Sequence, residues 1–241
     1  MNKVILLSIS LACISLSSCD GFHKVVNAAG TILTTPSGLS NDEASGGIKE
    51  ALGNGLSVAV LNLNRKDGFL GNDFYKLLLP PDAQKVERTM RGLGLSKPVD
   101  RAIESINRGA EDAVGFAKDI FVTAIKQMTL ADALSIVRGG QGVATQYFKQ
   151  KTTAQLIAAF TPSVQASLQK VNATKFYGDV INNYNTLVPP AKKINPDLTS
   201  YVVEKTTDAL FDQIAKEENN IRANPVARTT DLLKKVFGQP W

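Results

Sequence analysis

Apolar residues recur every three or four positions between residues 41 and 238, and almost nowhere at every second position. That spacing marks helices that each bury one face. Ser40 or Asn41 can cap a first helix, with Asp42 and Glu43 in its first turn and Ile48, Leu52, Leu56, Ala59 and Leu63 on its apolar face. Lys66-Asp67-Gly68 should end it, with Gly68 just past the helix. The stretch 69–81, FLGNDFYKLLLPP, is irregular. Pro80-Pro81 then restarts a short helix carrying Val86 and Met90, closed by Gly92 and Gly94. The longest helix should follow Ser96 and Pro98, because Val99, Ile103, Ile106, Ala110, Ala113, Ala117, Ile120 and Ala124 alternate steps of four and three. Val114, Phe121, Ile125 and Met128 widen that stripe to the breadth of a bundle core.

Thr129 can cap a helix over 130–137, stopped at Gly139-Gly140. Three short helices are predicted over 143–150, 153–160 and 162–171, the last with Thr161 as cap and Pro162 at the tolerated first position. Another covers 176–187, a long one runs from 197 or 198 to 220, and a last one covers 225–237 and stops at Gly238. The expectation is an all-α, single-domain multi-helix bundle over 41–238, with two long helices and several short ones.

The start of the chain has a different pattern. Lys3 precedes an apolar run from Val4 to Leu16, which ends in Leu16-Ser17-Ser18-Cys19. A positive start, a short apolar core and small residues before a cut make a secretory signal over 1–18. The run is too short for the roughly twenty residues that a spanning helix needs. Leu-Ser-Ser-Cys resembles a bacterial lipobox, which implies that Cys19 is acylated and begins the mature chain. Residues 19–40 then read as a lipidated tether, with an apolar piece near 25–33 that docks on the domain or the membrane. The expected location is the bacterial cell envelope, lipid-anchored, at the outer membrane facing the periplasm.

Such processing narrows the available chemistry. Cys13 leaves with the signal, Cys19 carries lipid, and the one histidine, His23, falls in the tether. Cys–His and Ser–His nucleophile systems then lack their parts, and zinc lacks its preferred ligands. No cofactor and no metal site is expected. The chain has 27 Lys+Arg against 22 Asp+Glu, and losing residues 1–18 removes only Lys3, which leaves a charge of +4. Both signs alternate through the domain, as on a solvated surface without a nucleic-acid footprint.

Helical phase picks out polar residues inside apolar stripes. Asn107 lies about 40° from Ile103, and Glu111 about 80° away at the edge of the same face, beside an i,i+4 pair of Glu104 and Arg108. On the late long helix, Glu217 falls within the sector of Val203, Leu210, Ile214 and Ile221, where a carboxylate needs a partner such as Arg222, Arg228 or Arg108. Two readings stay open: a catalytic or ligand-binding carboxylate, or a buried ion pair that fixes helix register. Arg138-Gly139-Gly140-Gln141-Gly142 could turn backbone N–H groups toward an anion, but no strand precedes it and no Gly-Lys-Ser/Thr follows. Thr145, Gln146 and Tyr147 could line a small cavity beside it, or Tyr147 could be a core aromatic. Asn62, Asn64 and Asp67 lack the spacing of a calcium loop.

Four blocks together carry a family resemblance: GIKEALGNGLSVAV, INRGAEDAV, GGQGVATQYF and YVVEKTTDALFDQIAKEENNIRANPVARTTDLLKKVFG. In that order, over most of residues 45–238, they resemble a bacterial family known as domain of unknown function 4197. The resemblance implies an exported, helical, single-domain protein and brings no catalytic residues with it. It directs attention to Asn107, Arg108, Glu111, Thr145, Gln146, Tyr147, Glu217, Arg222 and Arg228, which sit in those blocks.

The leading expectation is a non-enzymatic envelope lipoprotein whose helical domain binds an envelope protein or an apolar ligand, or serves as a scaffold, while its lipid holds a membrane. The alternative is an envelope hydrolase or lyase with Glu217 or Glu111 as general acid/base, which needs an open pocket around the carboxylate. A purely structural spacer is the third reading, and it predicts neither a pocket nor a large exposed apolar patch.

Overall fold

The computed structural model describes residues 25–26, 32–33, 40–170, 172–195 and 197–238. The expected signal segment, Cys19 and His23 lie outside the described residues. Ahead of the helices, β1 (Val25–Val26) pairs antiparallel with β2 (Ile32–Leu33), a ladder of two residue pairs in the stretch expected to be a tether. Everything else described is helix, turn or irregular chain, so the all-α reading holds.

The helices are α1 (Asn41–Asn64), α2 (Gln84–Gly92), α3 (Ser96–Val114), α4 (Ala117–Gln127), α5 (Leu130–Arg138), α6 (Val143–Lys170), α7 (Ala173–Leu187), α8 (Leu198–Ala223) and α9 (Asp231–Phe237). Short 3-10 turns at Pro81–Ala83, Pro190–Lys192 and Pro225–Ala227 join some of them. Helices α1, α3, α6 and α8 form a central ring of neighbours: α3 packs on α6, α6 on α8, α8 on α1 and α1 on α3. Around it, α4 bridges α1 and α6, α5 leans on α1, α7 covers α6, and α9 covers α1. Phe121, Phe148 and Phe211 tie α4, α6 and α8 together, with Phe121 edge-on to the other two at 5.7 and 6.4 Å. Ser105 and Ser167 exchange hydroxyl-to-carbonyl bonds where α3 crosses α6.

Several ends follow their local chemistry. Ser40 accepts from Glu43 N while the Glu43 carboxylate accepts from Ser40 N, and Thr129 and Asp132 repeat this reciprocal cap on α5. Asp197 caps α8, and Thr230 caps α9. The last helix is shorter than expected, because the chain forms the 3-10 turn at Pro225–Ala227 before Thr230 restarts it.

Two long-helix expectations need correction. The predicted helix after Ser96 is broken into α3 and α4 at Gly115-Phe116. Asn64 Nδ2 donates to the Glu111 carbonyl (2.8 Å), the acceptor that Gly115 N would have used in a continuous helix. Gly115 N turns to the Asp112 carbonyl instead, and Phe116 N to that of Ala113. Conversely, the three short helices predicted between 143 and 171 are one helix of 28 residues, α6, with Pro162 inside it. Proline inside a helix costs about 3 kcal/mol or more. Here the acceptor it leaves idle belongs to exposed Ala158, and Leu156, Phe160, Val164 and Leu168 stay buried at every fourth position across the break. Packing of that stripe outweighs the local cost. The long helices are therefore α1, α6 and α8, three where two were expected.

Gly68 also plays a different part from the expected one. The left-handed residue after α1 is Asp67 (φ 66°), not Gly68. Gly68 is needed for close approach, since a Cβ there would sit 2.3 Å from the Leu63 carbonyl oxygen.

Candidate functional site

The polar residues singled out by phase fall into two separate groups. The first lies on α3. Asn107 is fully buried, accepts from Leu77 N at Oδ1 (2.8 Å) and donates through Nδ2 to the Leu77 and Ile103 carbonyls. One side-chain amide thus satisfies both backbone groups of Leu77. Glu111, also buried, accepts from Phe69 N (3.1 Å) and Leu70 N (3.2 Å) at Oε1 and from Arg108 at Oε2 (2.6 Å). Arg108 reaches on to Asp67 (2.9 Å), and the two carboxylates hold its guanidinium more firmly protonated than usual, Glu111 first. The expected Glu104–Arg108 pair does not form. Arg108 turns to Glu111 and Asp67, and Glu104 is exposed. The group as a whole clamps the irregular chain after α1 onto α3.

The second group joins α8 to the α5–α6 turn, and it corrects the expectation for Glu217. Glu217 is only half-buried, with a long 3.5 Å contact to Gln213. The buried carboxylate is its neighbour Glu218. Ideal phase centres Glu217 on the stripe, but Gly55 of α1 lies opposite it and offers no side chain to cover it. The N-terminus of α6 lies on the other flank, over Glu218. Glu218 accepts from Ala144 N (3.2 Å), Thr145 N (2.9 Å) and Thr145 Oγ1 (2.7 Å). Arg222 donates to the same carboxylate (2.9 and 3.0 Å) and to the Ile136 carbonyl at the end of α5 (2.7 Å). The anion sits at a helix start and the cation at a helix end, each where the backbone dipole favours it. Gly140 (φ 79°) and Gly142 (φ 82°) allow the turn that brings these ends together. The anion facing those backbone N–H groups is therefore internal.

Arg228 donates to the Ile221 and Arg222 carbonyls and closes the end of α8. Gln146 is exposed, and Tyr147 is half-buried, edge-on to Phe148 at 5.4 Å. Burial, with Asp132 nearby, pushes the Tyr147 hydroxyl's pKa up. Thr145 lines no cavity of useful size. The apolar crevice beside Glu218 and Arg222 measures about 30 Å³, room for a water or two. The third and fourth blocks meet there, while Asn107, Arg108 and Glu111 of the second block hold a different part of the chain.

The open site lies elsewhere and was not signalled by helical phase. A groove of about 440 Å³ runs between the 74–84 segment and one flank of α8. Phe74, Leu78 and Leu79 give it apolar walls, and Tyr201, Lys205, Asp208 and Asp212 line the α8 side. Phe74 is 88% exposed, an unusual position for a phenylalanine. Lys216 Nζ lies 5.4 Å from its ring centroid and 4.7 Å from that of Tyr75. The Tyr75 hydroxyl accepts from Lys216 (2.8 Å) and lies 2.8 Å from Asp212 Oδ2 and 2.9 Å from Gln213 Oε1. Burial pushes the Tyr75 pKa up, so the hydroxyl stays neutral. Burial opposes ionisation of Asp212, but hydrogen bonds from Lys216 and Tyr75 outweigh it and hold its carboxyl below the usual range. A neutral phenol pinned in a closed network suits positioning better than nucleophilic attack.

Among the described residues no group of three or more His, Cys, Asp or Glu is placed to hold a metal ion. No single described helix is long and apolar enough to cross a membrane. No curated protein and no solved structure matches the chain. A known family matches the stretch of chain that holds the four blocks. Its model covers residues 38–238, and the chain belongs to that family, described as protein of unknown function (DUF4197).

Proposed function

We propose that this protein is a non-enzymatic cell-envelope lipoprotein, held by acyl chains on Cys19 at the outer membrane and facing the periplasm, whose helical body binds a partner through the groove beside Phe74. The observation that carries the binding half is the pairing of an open groove with a solvent-facing aromatic wall. Exposed aromatic and aliphatic side chains around a concave space are the usual make-up of a recognition site. The anchor half rests on the order of charge, apolar core and Leu-Ser-Ser-Cys in residues 3–19. A hydrolase or lyase with Glu111 or Glu217 as general acid/base draws less support. Both Glu111 oxygens are engaged, and Glu217 lines none of the crevices or the groove described above.

Palmitate labelling of cells that express the full chain, with mass spectrometry of the mature amino terminus, tests the anchor. The expected result is an acylated Cys19, with all label lost in Cys19→Ala. A mature terminus at any other residue overturns the anchor. A photo-crosslinking residue at position 74 tests the groove, with one placed on exposed Lys170 as control. Adducts at 74 and none at 170 are expected, and equal yields at both overturn the groove as the binding surface.

A further inference from the structure

We infer that the groove recognises an extended peptide segment by strand pairing to Leu78. The inference deepens the binding reading above and rests on it. Both the N–H and the C=O of Leu77 bond the side-chain amide of Asn107. One residue can aim both groups at one amide only when its backbone is extended, as in a β ladder. Asn107 thus takes the place of a neighbouring strand on the inner side. Along an extended chain the next residue turns its N–H and C=O the opposite way, so those of Leu78 face away from Asn107. Neither Leu78 group has a hydrogen-bond partner among the described residues. Leu78 itself lines the groove and is 48% exposed.

The result is a one-residue strand edge at the wall of a groove, with an exposed phenylalanine four residues before it. A peptide residue laid opposite Leu78 can exchange two N–H···O bonds with it, while its alternate side chains reach Phe74 and the apolar wall. An apolar small molecule would cover Leu78 without satisfying its N–H and C=O, at a desolvation cost. The Tyr201 hydroxyl across the groove also has no hydrogen-bond partner among the described residues, so it is free to meet a peptide group. Lys76 at the same wall has no ion pair among the described residues and favours an acidic residue flanking the apolar ones. Pro80 and Pro81 follow after Leu79 and stop the edge from growing, which guards it against pairing indiscriminately. The occupant is therefore a short extended segment of a partner protein, apolar at alternate positions with an acidic neighbour.

The test pans a phage-displayed library of random dodecapeptides against the full-length chain in detergent, then measures the enriched peptides by fluorescence polarisation. Expected are sequences with alternating apolar residues and a nearby acid. Binding should weaken at least tenfold in Leu78→Pro, which removes the N–H, and change much less in Leu78→Ala, which keeps it. An N-methyl scan of the peptide, on the unaltered protein, gives the same answer without relying on a variant's folding: one central methylation should cost at least tenfold. Enriched peptides that tolerate Leu78→Pro and every single N-methylation, but lose affinity in Phe74→Ser, overturn strand pairing and leave the groove as a binding site. Peptides insensitive to Phe74→Ser as well, or no enrichment at all, overturn both. Enriched sequences that match this chain's own residues, or a dimer dissolved by Phe74→Ser, overturn the assignment to a partner protein.

Discussion

Glu111 on α3 and Glu218 on α8 each accept two backbone N–H groups and an arginine from their own helix, yet they secure different kinds of chain. Glu218 closes a junction between two helix ends, and the space left beside it holds little more than water. Glu111 holds an irregular segment whose continuation, five to ten residues on, forms one wall of the open groove. The same buried-carboxylate chemistry stiffens the bundle in one place and shapes a surface in the other. A buried acid with an arginine is thus not by itself a sign of catalysis. What it holds, and what lies open beyond that, separates the two cases.

Removing Glu218 should have the largest effect. The Arg222 side chain is only 14% exposed, so Glu218→Ala strands a buried cation and frees the Ala144 and Thr145 amides. Breaking such a pair costs about 3–5 kcal/mol. For a domain of this size that lowers the melting temperature by roughly 6–20 °C. Thermal denaturation followed by circular dichroism checks it, and a shift of only a degree or two would show that the junction is held mainly by packing.

Glu111→Ala should cost less and act locally. Arg108 keeps Asp67 and is partly exposed, so the loss is mainly the partner of the buried Phe69 N–H, about 1–3 kcal/mol, while the part-buried Leu70 N–H can turn to water. Hydrogen exchange should speed up at Phe69 and Leu70 and along the groove wall, while the α5–α6 junction keeps its protection. Equal loss of protection in both regions would erase the distinction between the two acids.

The sequence legible to helical phase was the sequence that obeys local rules. The caps at Ser40 and Thr129 were readable from residue type and position, and the structure adds the reciprocal bonds from Glu43 and Asp132, each three residues on. Asn107 and Glu111 were readable as polar residues in or beside an apolar stripe, but their partners were not, since Leu77 and Phe69 lie 30 and 42 residues away on chain without a period. The break between α3 and α4 depends on Asn64, 47 residues before the carbonyl it takes. Glu218 was missed for a related reason. Ideal phase locates a residue around a helix axis but says nothing of which neighbour stands at that level. The groove left only the run Phe-Tyr-Lys-Leu-Leu-Leu before two prolines, an apolar stretch too irregular to place on any face.

A third carboxylate carries the comparison into water and should give the smallest effect. Glu43 caps the start of α1 as Glu218 caps that of α6, but it is exposed and its charged partner, Lys235, comes from α9. The hydrogen bond from Lys235, followed by those from Ser40, lowers its carboxyl from an ordinary 4.5 to about 2. A lowered folded-state value means that the stabilisation is complete above pH 4.5 and fades as pH falls toward 2. Docking of α9 on α1 should therefore loosen over that window, seen as faster exchange of the α9 amides relative to α6. Glu43→Gln should show weaker α9 protection at neutral pH and converge with the unaltered chain near pH 2. Added salt should shrink the difference, because an exposed pair is screened where the Glu218–Arg222 pair is not. No difference between the two chains at neutral pH would mean that α9 is held by Val236 and its apolar neighbours alone, and a difference that persists unchanged at the acid end would mean that the substitution acts through something other than the Glu43 charge.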